Sequence, residues 1–320
     1  MKIKHLIAAF ALFICINKAS AQAQGEEDYV VQTANGDIYG TIMLPEKMNG
    51  TVPVVLLISG SGPTDMNGNQ DGEGSNNMKM IAESLRKSGI ASCRFDKRGV
   101  GKSAEALKSE LDIRFDNYVE DAGQWINLLS LDPRFSKVII AGHSEGSLVG
   151  MIAANFNNTI IKGFISLDGA GRPADEVLKE QFASTPKEAK DYIYKIIDTL
   201  KKGDTIGNVP PIYAAVFRPS VQPYIISWFR KNPQAEIGRL KMPVMIVQGS
   251  MDVQVSVKDA TMLQMAHPKS EILIVPNMNH VLKDCDTMDK EKQKPIYTDP
   301  NLPLNKDFIS GMIAFIKKIP

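Results

Sequence analysis

The stretch that most constrains this chain is KVIIAGHSEGSLVG, Lys137 to Gly150. An apolar run, Val138 to Ala141, stops at Gly142-His143-Ser144-Glu145-Gly146. An apolar helical pattern, Leu148 to Ala154, begins directly after it. Strand, Gly-x-Ser-x-Gly, helix is the context in which such a pentapeptide carries meaning, because it forces a serine onto a sharp turn at the end of a buried strand. The two glycines allow a cramped turn and a close strand–helix approach that a Cβ would obstruct. Ser144 is then expected at the carboxyl edge of the sheet, where open α/β sheets place their sites.

The rest of the chain supplies such a sheet. Tyr29 to Val31 and Asp37 to Met43 read as strands joined through Asn35-Gly36, a hairpin signal. Pro53 to Ser59 is a continuous apolar, β-branched run that suits a central parallel strand. Strands are also expected at Ile90 to Phe95, Ile160 to Leu167, Pro243 to Gln248 and Glu271 to Val275. Helical periodicity falls between them at Met78 to Lys87, Phe115 to Leu129 and Val257 to Ala266, and Phe308 to Lys317 closes the chain. This alternation predicts a mostly parallel α/β sheet with helices on both faces. Arg172 to Gly238 breaks the rhythm with helical, proline-punctuated sequence, and we read residues 172–238 as a helical cap inserted into a core of 22–171 and 239–320. Its aromatics, Tyr213, Phe217, Tyr224, Trp228 and Phe229, are candidates for an apolar acyl pocket or for packing on the core. Lys283 to Pro303 lacks periodicity and reads as a long loop or a short irregular excursion.

Residues 1–21 read as a signal peptide: Lys2 and Lys4, an apolar core from Ile7 to Ile16, and an Ala19-Ser20-Ala21 cleavage site. The expected mature chain is exported, periplasmic or secreted, and no later segment reads as a membrane span. Removing Lys2, Lys4 and Lys18 turns the formal net charge of +1 into −2. No basic stripe is interleaved with aromatics, so nucleic acid is excluded as an expected partner. Cys93 and Cys285 remain after cleavage and read as free thiols. No Cys/His cluster has metal spacing, so neither a metal nor another cofactor is expected. The polar segment DMNGNQDGEG within Asp65 to Asn77 does not satisfy EF-hand spacing and reads as a surface loop near the site. Asp96 and Arg98 are expected to pair and fix the turn after their strand.

A serine hydroxyl needs a general base, and the base needs a group that fixes its tautomer. His280 follows the last strand at the same sheet edge as Ser144 and is the expected base. His143 lies inside the turn and is expected to point away from Ser144, and His267 sits at a helix end. Asp252 follows the preceding strand and is the expected acid. Asp168, also after a strand, is its competitor, while Asp284 and Asp286 lie too near His280 in sequence.

Five segments carry a resemblance: SGSGPTD at Ser59 to Asp65, FDKRGVGKS at Phe95 to Ser103, GHSEG, QGSMDVQV at Gln248 to Val255, and NMNHVLK at Asn277 to Lys283. Together they resemble the α/β-hydrolase superfamily, in its serine-aminopeptidase-like and exported bacterial esterase branch. Ser144, Asp252, His280 is the nucleophile–acid–base order of that fold. The resemblance implies an oxyanion hole formed by the backbone N–H groups of Glu145 and Ser61. Many members carry histidine where this chain has Ser59, which leaves backbone donation intact. The implied activity is hydrolysis of carboxylic esters of small or medium substrates through an acyl-serine. An aminopeptidase or amidase acting on short peptides is the alternative, with Glu145, Asp175 or Glu176 holding the substrate amine. A noncatalytic binding protein on the same fold would require Asp252 and His280 to lie apart from Ser144.

Overall fold

The computed structural model describes residues 25–157 and 159–320, so the expected signal peptide lies outside the described residues. In chain order the elements are β1 (Glu26–Thr33), β2 (Gly36–Met43), β3 (Val52–Ile58), α1 (Asn77–Lys87), β4 (Ala91–Phe95), α2 (Phe115–Leu131), β5 (Phe135–His143), α3 (Glu145–Phe156) and β6 (Ile161–Leu167). Five helices follow: α4 (Ala174–Gln181), α5 (Lys187–Lys201), α6 (Pro211–Phe217), α7 (Gln222–Phe229) and α8 (Pro233–Ile237). The chain then runs through β7 (Val244–Gly249), α9 (Val257–Ala266), β8 (Glu271–Val275), α10 (Lys290–Thr298) and α11 (Lys306–Lys318).

The eight strands form one sheet in the order β1-β2-β4-β3-β5-β6-β7-β8. β1 and β2 pair antiparallel, as do β2 and β4, and the remaining neighbours are parallel. The strand order reverses between β3 and β5, so the loops leaving their carboxyl ends diverge and open a crevice there. Those two loops carry Ser59 to Ser61 and Ser144.

Alternation along the strands builds a core on each face. Val54, Leu56, Ile140, Phe164 and Ile246 face Trp125 of α2, Met151 of α3 and Leu263 of α9. Val55, Leu57, Ile139, Ile165 and Val247 face Ile81 and Leu85 of α1 and Phe308 and Met312 of α11. The cap aromatics belong to the first of these cores. Phe115 of α2 stacks on Tyr224 and Trp228 at centroid distances of 6.4 and 6.3 Å, and Phe182 lies 6.1 Å from Phe217. Phe217, Tyr224 and Phe229 are buried.

Three local expectations are corrected. Asp96 and Arg98 do not pair with each other. The Asp96 carboxylate instead accepts the backbone N–H groups of Met66 (2.8 Å) and Lys102 (3.1 Å), while Arg98 turns into α2 and donates to Asp121 (2.9 and 2.5 Å). A carboxylate that can take two otherwise orphaned loop donors has no need of the guanidinium two residues further on. The segment after Lys283 is not all loop, because Lys290–Thr298 is helical with Pro295 inside it. The Asp289 side chain caps it by accepting from Glu291 and Lys292 N–H. The hairpin turn is also shifted by one residue. Thr33 pairs with Gly36, so the two-residue loop is Ala34-Asn35. Cys93 and Cys285 are free and buried, as expected.

The glycines of the elbow are required by contact. A Cβ on Gly146 would stand 2.3 Å from the Ile58 carbonyl oxygen, and one on Gly142 would stand 2.2 Å from the Gly146 oxygen. Gly146→Ala is therefore expected to lose about 3 kcal/mol or more of unfolding free energy, since backbone rather than a yielding side chain receives the methyl. Urea denaturation followed by circular dichroism measures it, and an unchanged midpoint would contradict the packing of α3 on β3.

Candidate active site

Ser144 joins β5 to α3 with φ 52° and ψ −120°, a region that L-residues rarely occupy. The turn is held at both ends: Ser144 N–H donates to the Leu167 carbonyl of β6 (2.8 Å), and Ser147 N–H donates to the Ser144 carbonyl (3.0 Å). Ser144 is the N-cap of α3, so the positive end of that helix lies directly behind it. The glycine at the start of the β3 loop presses on it. A Cβ at Gly60 would lie 3.2 Å from both the Ser144 Cβ and the His143 Nδ1. Ser144, Ser61 and His280 line one cavity.

His280 follows β8, and its Nδ1 donates to Asp252 Oδ2 at 2.7 Å, both residues being buried. The tautomer follows from this bond, which leaves Nε2 as the basic edge. Asp252 is fixed in turn. Its Oδ1 accepts from Gln254 N–H (2.7 Å) and Val255 N–H (2.9 Å), and its Oδ2 also accepts from Gln248 Nε2 (3.1 Å). The competing Asp168, at φ 47°, takes a different part. Its Oδ1 accepts Gly249 N–H at 2.7 Å, and its Oδ2 has no partner. Burial, reinforced by the nearby charge of Asp252, pushes the Asp168 carboxyl well above the usual range.

His143 does not point away as its place in the turn suggested. It lines the same cavity, its ring centroid is 4.8 Å from that of His280, and its Nε2–H donates to the His280 carbonyl at 2.7 Å. A carbonyl only accepts, so Nε2 carries the proton, and the elbow thereby anchors the loop that bears His280. Among the described residues, His143, Asp168 and His280 form the grouping with metal-ligand chemistry, with ligand atoms within 4.8 Å of one another. Two of its ring nitrogens are engaged in the hydrogen bonds just described.

Burial pushes the His143 imidazole down to about 3 from an ordinary value near 6.5, with the neighbouring His280 adding to the effect. The unfolded chain therefore binds a proton below pH 6.5 that the folded chain refuses. The associated stability is present above pH 6.5 and lost as pH falls toward 3, by about 2 kcal/mol at pH 5. His143→Gln keeps a donor and cannot titrate. Its unfolding midpoint is expected to change less between pH 7 and pH 5 than that of the parent protein, as read by thermal melts, and parallel losses would contradict a buried neutral His143.

Glu145 is the residue whose role is least visible in sequence. Its Oε1 accepts from Lys97 Nζ at 2.9 Å, its Oε2 accepts from the Tyr224 hydroxyl of α7, and all three residues are buried. Burial and the Glu145 charge push the Tyr224 hydroxyl well above its ordinary value, so Tyr224 stays a donor. Lys97 Nζ also donates to the carbonyls of Gly60 (2.6 Å) and Gly62 (3.4 Å), and sits 4.4 Å over the Tyr118 ring. One ammonium thus ties the elbow to the β3 loop. Of the candidate cap acids, Asp175 pairs through Oδ2 with Lys201, and Glu176 is exposed.

The cavity wall differs from the expected apolar cap pocket. It is built mainly from the loop between Ser59 and Met78, with Gln254, Val281 and, from α10, Tyr297. The composition of that loop is turn chemistry. Asp65 Oδ1 accepts Asn67 N–H (2.8 Å) and Asn69 N–H (2.9 Å), and the Asn69 amide donates to Asn76 Oδ1 while its Oδ1 accepts Asn76 N–H (both 2.8 Å). Tyr297 went unnoticed in the sequence because Pro295 and the surrounding charges hide its helix.

Known proteins resemble this chain along most of its length. A family model described as serine aminopeptidase, S33, matches residues 71–205, a span that includes Ser144 but neither Asp252 nor His280. Esterase EstD of Thermotoga maritima is 26% identical over 262 residues, covering 78% of this chain. The chain spans only 59% of the length of that relative. Among solved structures, Est1E from Butyrivibrio proteoclasticus superposes with a TM-score of 0.59 at 16% identity, covering 91% of this chain and 99% of that one. The α/β-hydrolase GrgF from Penicillium sp. sh18 gives 0.61 at 15% identity, covering 92% and 98%. With the sheet order, the strained serine and these likenesses together, the chain has the α/β-hydrolase fold.

Proposed function

We propose that the protein is a serine hydrolase that cleaves carboxylic esters of small or medium substrates through an acyl-Ser144 intermediate. The observation that carries this is the hydrogen-bonded Asp252–His280 pair beside Ser144, in a cavity roofed by the Gly60-Ser61 loop. His280 Nε2 takes the Ser144 proton as the hydroxyl oxygen attacks the ester carbonyl. The Glu145 and Ser61 N–H groups receive the developing oxyanion, backed by the α3 dipole. His280 then returns the proton to the leaving alcohol. Water, deprotonated by the same nitrogen, releases the acid and restores Ser144. Asp252 holds the imidazole and offsets its charge in both halves.

A relative supports the ester reading, since EstD of Thermotoga maritima is an esterase by name. The peptidase alternative needs an anionic subsite for an amine. Glu145 is spent on Lys97 and Tyr224, and the one acid in the cavity wall, Glu73, is exposed and bonded to Gln70 (3.0 Å). The test is a panel of p-nitrophenyl acyl esters against aminoacyl-p-nitroanilides, with fluorophosphonate labelling mapped by mass spectrometry. Ester turnover with the label on Ser144 is expected. Selective anilide turnover would give the alternative, and a label elsewhere would remove Ser144 from the role. We further propose export, on the strength of residues 1–21. N-terminal sequencing of protein from the cell envelope or medium tests it, with a mature start near Gln22 expected and an intact Met1 overturning it.

A further inference from the structure

We infer that this site takes short-acyl esters of hydroxyl-rich, sugar-type alcohols rather than esters of long apolar acids. The inference rests on the ester-hydrolase reading above and concerns only its substrate. Its ground is the wall of the cavity that holds Ser144 and His280. The cavity is a cleft open to solvent on one side, with a volume of about 100 Å³. That is well below the several hundred cubic ångströms usual for a medium-sized organic ligand. An acetyl or propionyl group fits within it, with the alcohol portion at its open mouth.

The wall chemistry points the same way. Thr64, Gln70, Ser75, Asn77, Gln254 and Tyr297 all line the cavity, against Met78 and Val281 as its aliphatic side chains. Thr64, Ser75, Asn77 and Tyr297 are each more than nine-tenths buried. Their places are set by the loop rather than by substrate. Thr64 Oγ1 donates to the Ser61 carbonyl (3.1 Å), Ser75 Oγ accepts from Asn77 N–H (3.4 Å), and the Tyr297 hydroxyl accepts from Gln254 Nε2 (3.4 Å). An apolar group laid against this wall would strip amides and hydroxyls of water without replacing their hydrogen bonds. Hydroxyl groups on a ring restore them. Of the cap aromatics that would serve a long acyl chain, Tyr224 and Trp228 are instead packed on Phe115 of α2, and Phe217 on Phe182.

The experiment compares two ratios on the purified protein. The first is kcat/KM for p-nitrophenyl acetate against butyrate and octanoate. The second is kcat/KM for a monoacetylated methyl glycoside against cyclohexyl acetate, which presents a ring of similar size without hydroxyls. Both ratios are expected to exceed about tenfold in favour of the short acyl and the polyol, because a site built to bond hydroxyls rejects the analogue lacking them. Gln70→Leu, and Tyr297→Phe as a second variant with a smaller change to the fold, are expected to narrow the glycoside preference severalfold. Preference for octanoate, equal use of cyclohexyl acetate, or an unchanged ratio in both variants would overturn the substrate assignment while leaving the ester hydrolase intact. If no ester is cleaved, or if Ser144→Ala cleaves them equally well, the ester reading itself falls, and this inference with it.

Discussion

Ser144→Ala is expected to lower kcat for p-nitrophenyl acetate by about 10⁴- to 10⁶-fold, with KM little changed and the unfolding midpoint within error of the parent. The size follows from what the serine alone supplies. The wall of the cavity, the Glu145 and Ser61 N–H groups and the His280–Asp252 pair all survive the change, so substrate still binds and a residual rate of about 10³ over water remains. The covalent route is lost outright. Stability should hold because the strain at φ 52° belongs to the turn, and alanine meets it with the same Cβ as serine. His280→Ala should cost a similar factor, and the double variant little more than either single one, since nucleophile and base act as one unit. Undiminished turnover in Ser144→Ala would remove the nucleophile, and a double variant whose losses multiply would show that His280 works elsewhere.

Much of this arrangement is legible in the sequence, and the reason is local. A buried parallel strand needs a continuous apolar run, and a tight turn at its end needs glycine. The expected strand at Glu271 to Val275 has its observed bounds, and Ile160 to Leu167 and Pro243 to Gln248 lie within one residue of theirs. Ser144, Asp252 and His280 could be ordered because each follows a strand at the same edge of the sheet. Asp252 and Asp168 both follow strands at that edge, and it is Asp252 that lies 2.7 Å from His280 Nδ1, while Asp168 accepts Gly249 N–H.

What stayed hidden depends on contacts between segments far apart in the chain. Lys97 lies in a turn whose pattern suggested only an Asp96–Arg98 pair, and nothing local says that its ammonium reaches Gly60 and Glu145. His143 sits beside the nucleophile, yet its partner is a backbone carbonyl 137 positions away. The cap aromatics have the composition of an acyl pocket, and only the positions of α2 and of neighbouring cap helices turn Tyr224, Trp228 and Phe217 toward the core. Tyr297 reaches the cavity from a helix interrupted by Pro295, where periodicity gives no signal.

Lys97→Met carries the second large expected effect, because that ammonium serves two segments at once. Removing it leaves the Glu145 carboxylate buried with Tyr224 as its remaining side-chain donor, and stranding one member of a buried pair costs about 3–5 kcal/mol. It also frees the carbonyls of Gly60 and Gly62, whose loop carries the Ser61 N–H. An oxyanion donor out of place costs about 10²- to 10³-fold in kcat. The two losses have different causes and separate in Lys97→Met/Glu145→Gln. There the buried charge is gone and the amide still accepts from Tyr224, so much of the stability should return in urea denaturation. The β3 loop remains untethered, so kcat should stay low, with KM moving less than kcat. Recovery of both quantities in the double variant would mean that Lys97 serves only to neutralise Glu145. A kcat that never fell would mean that packing of Gly60 against Ser144 and His143 is enough to hold the loop.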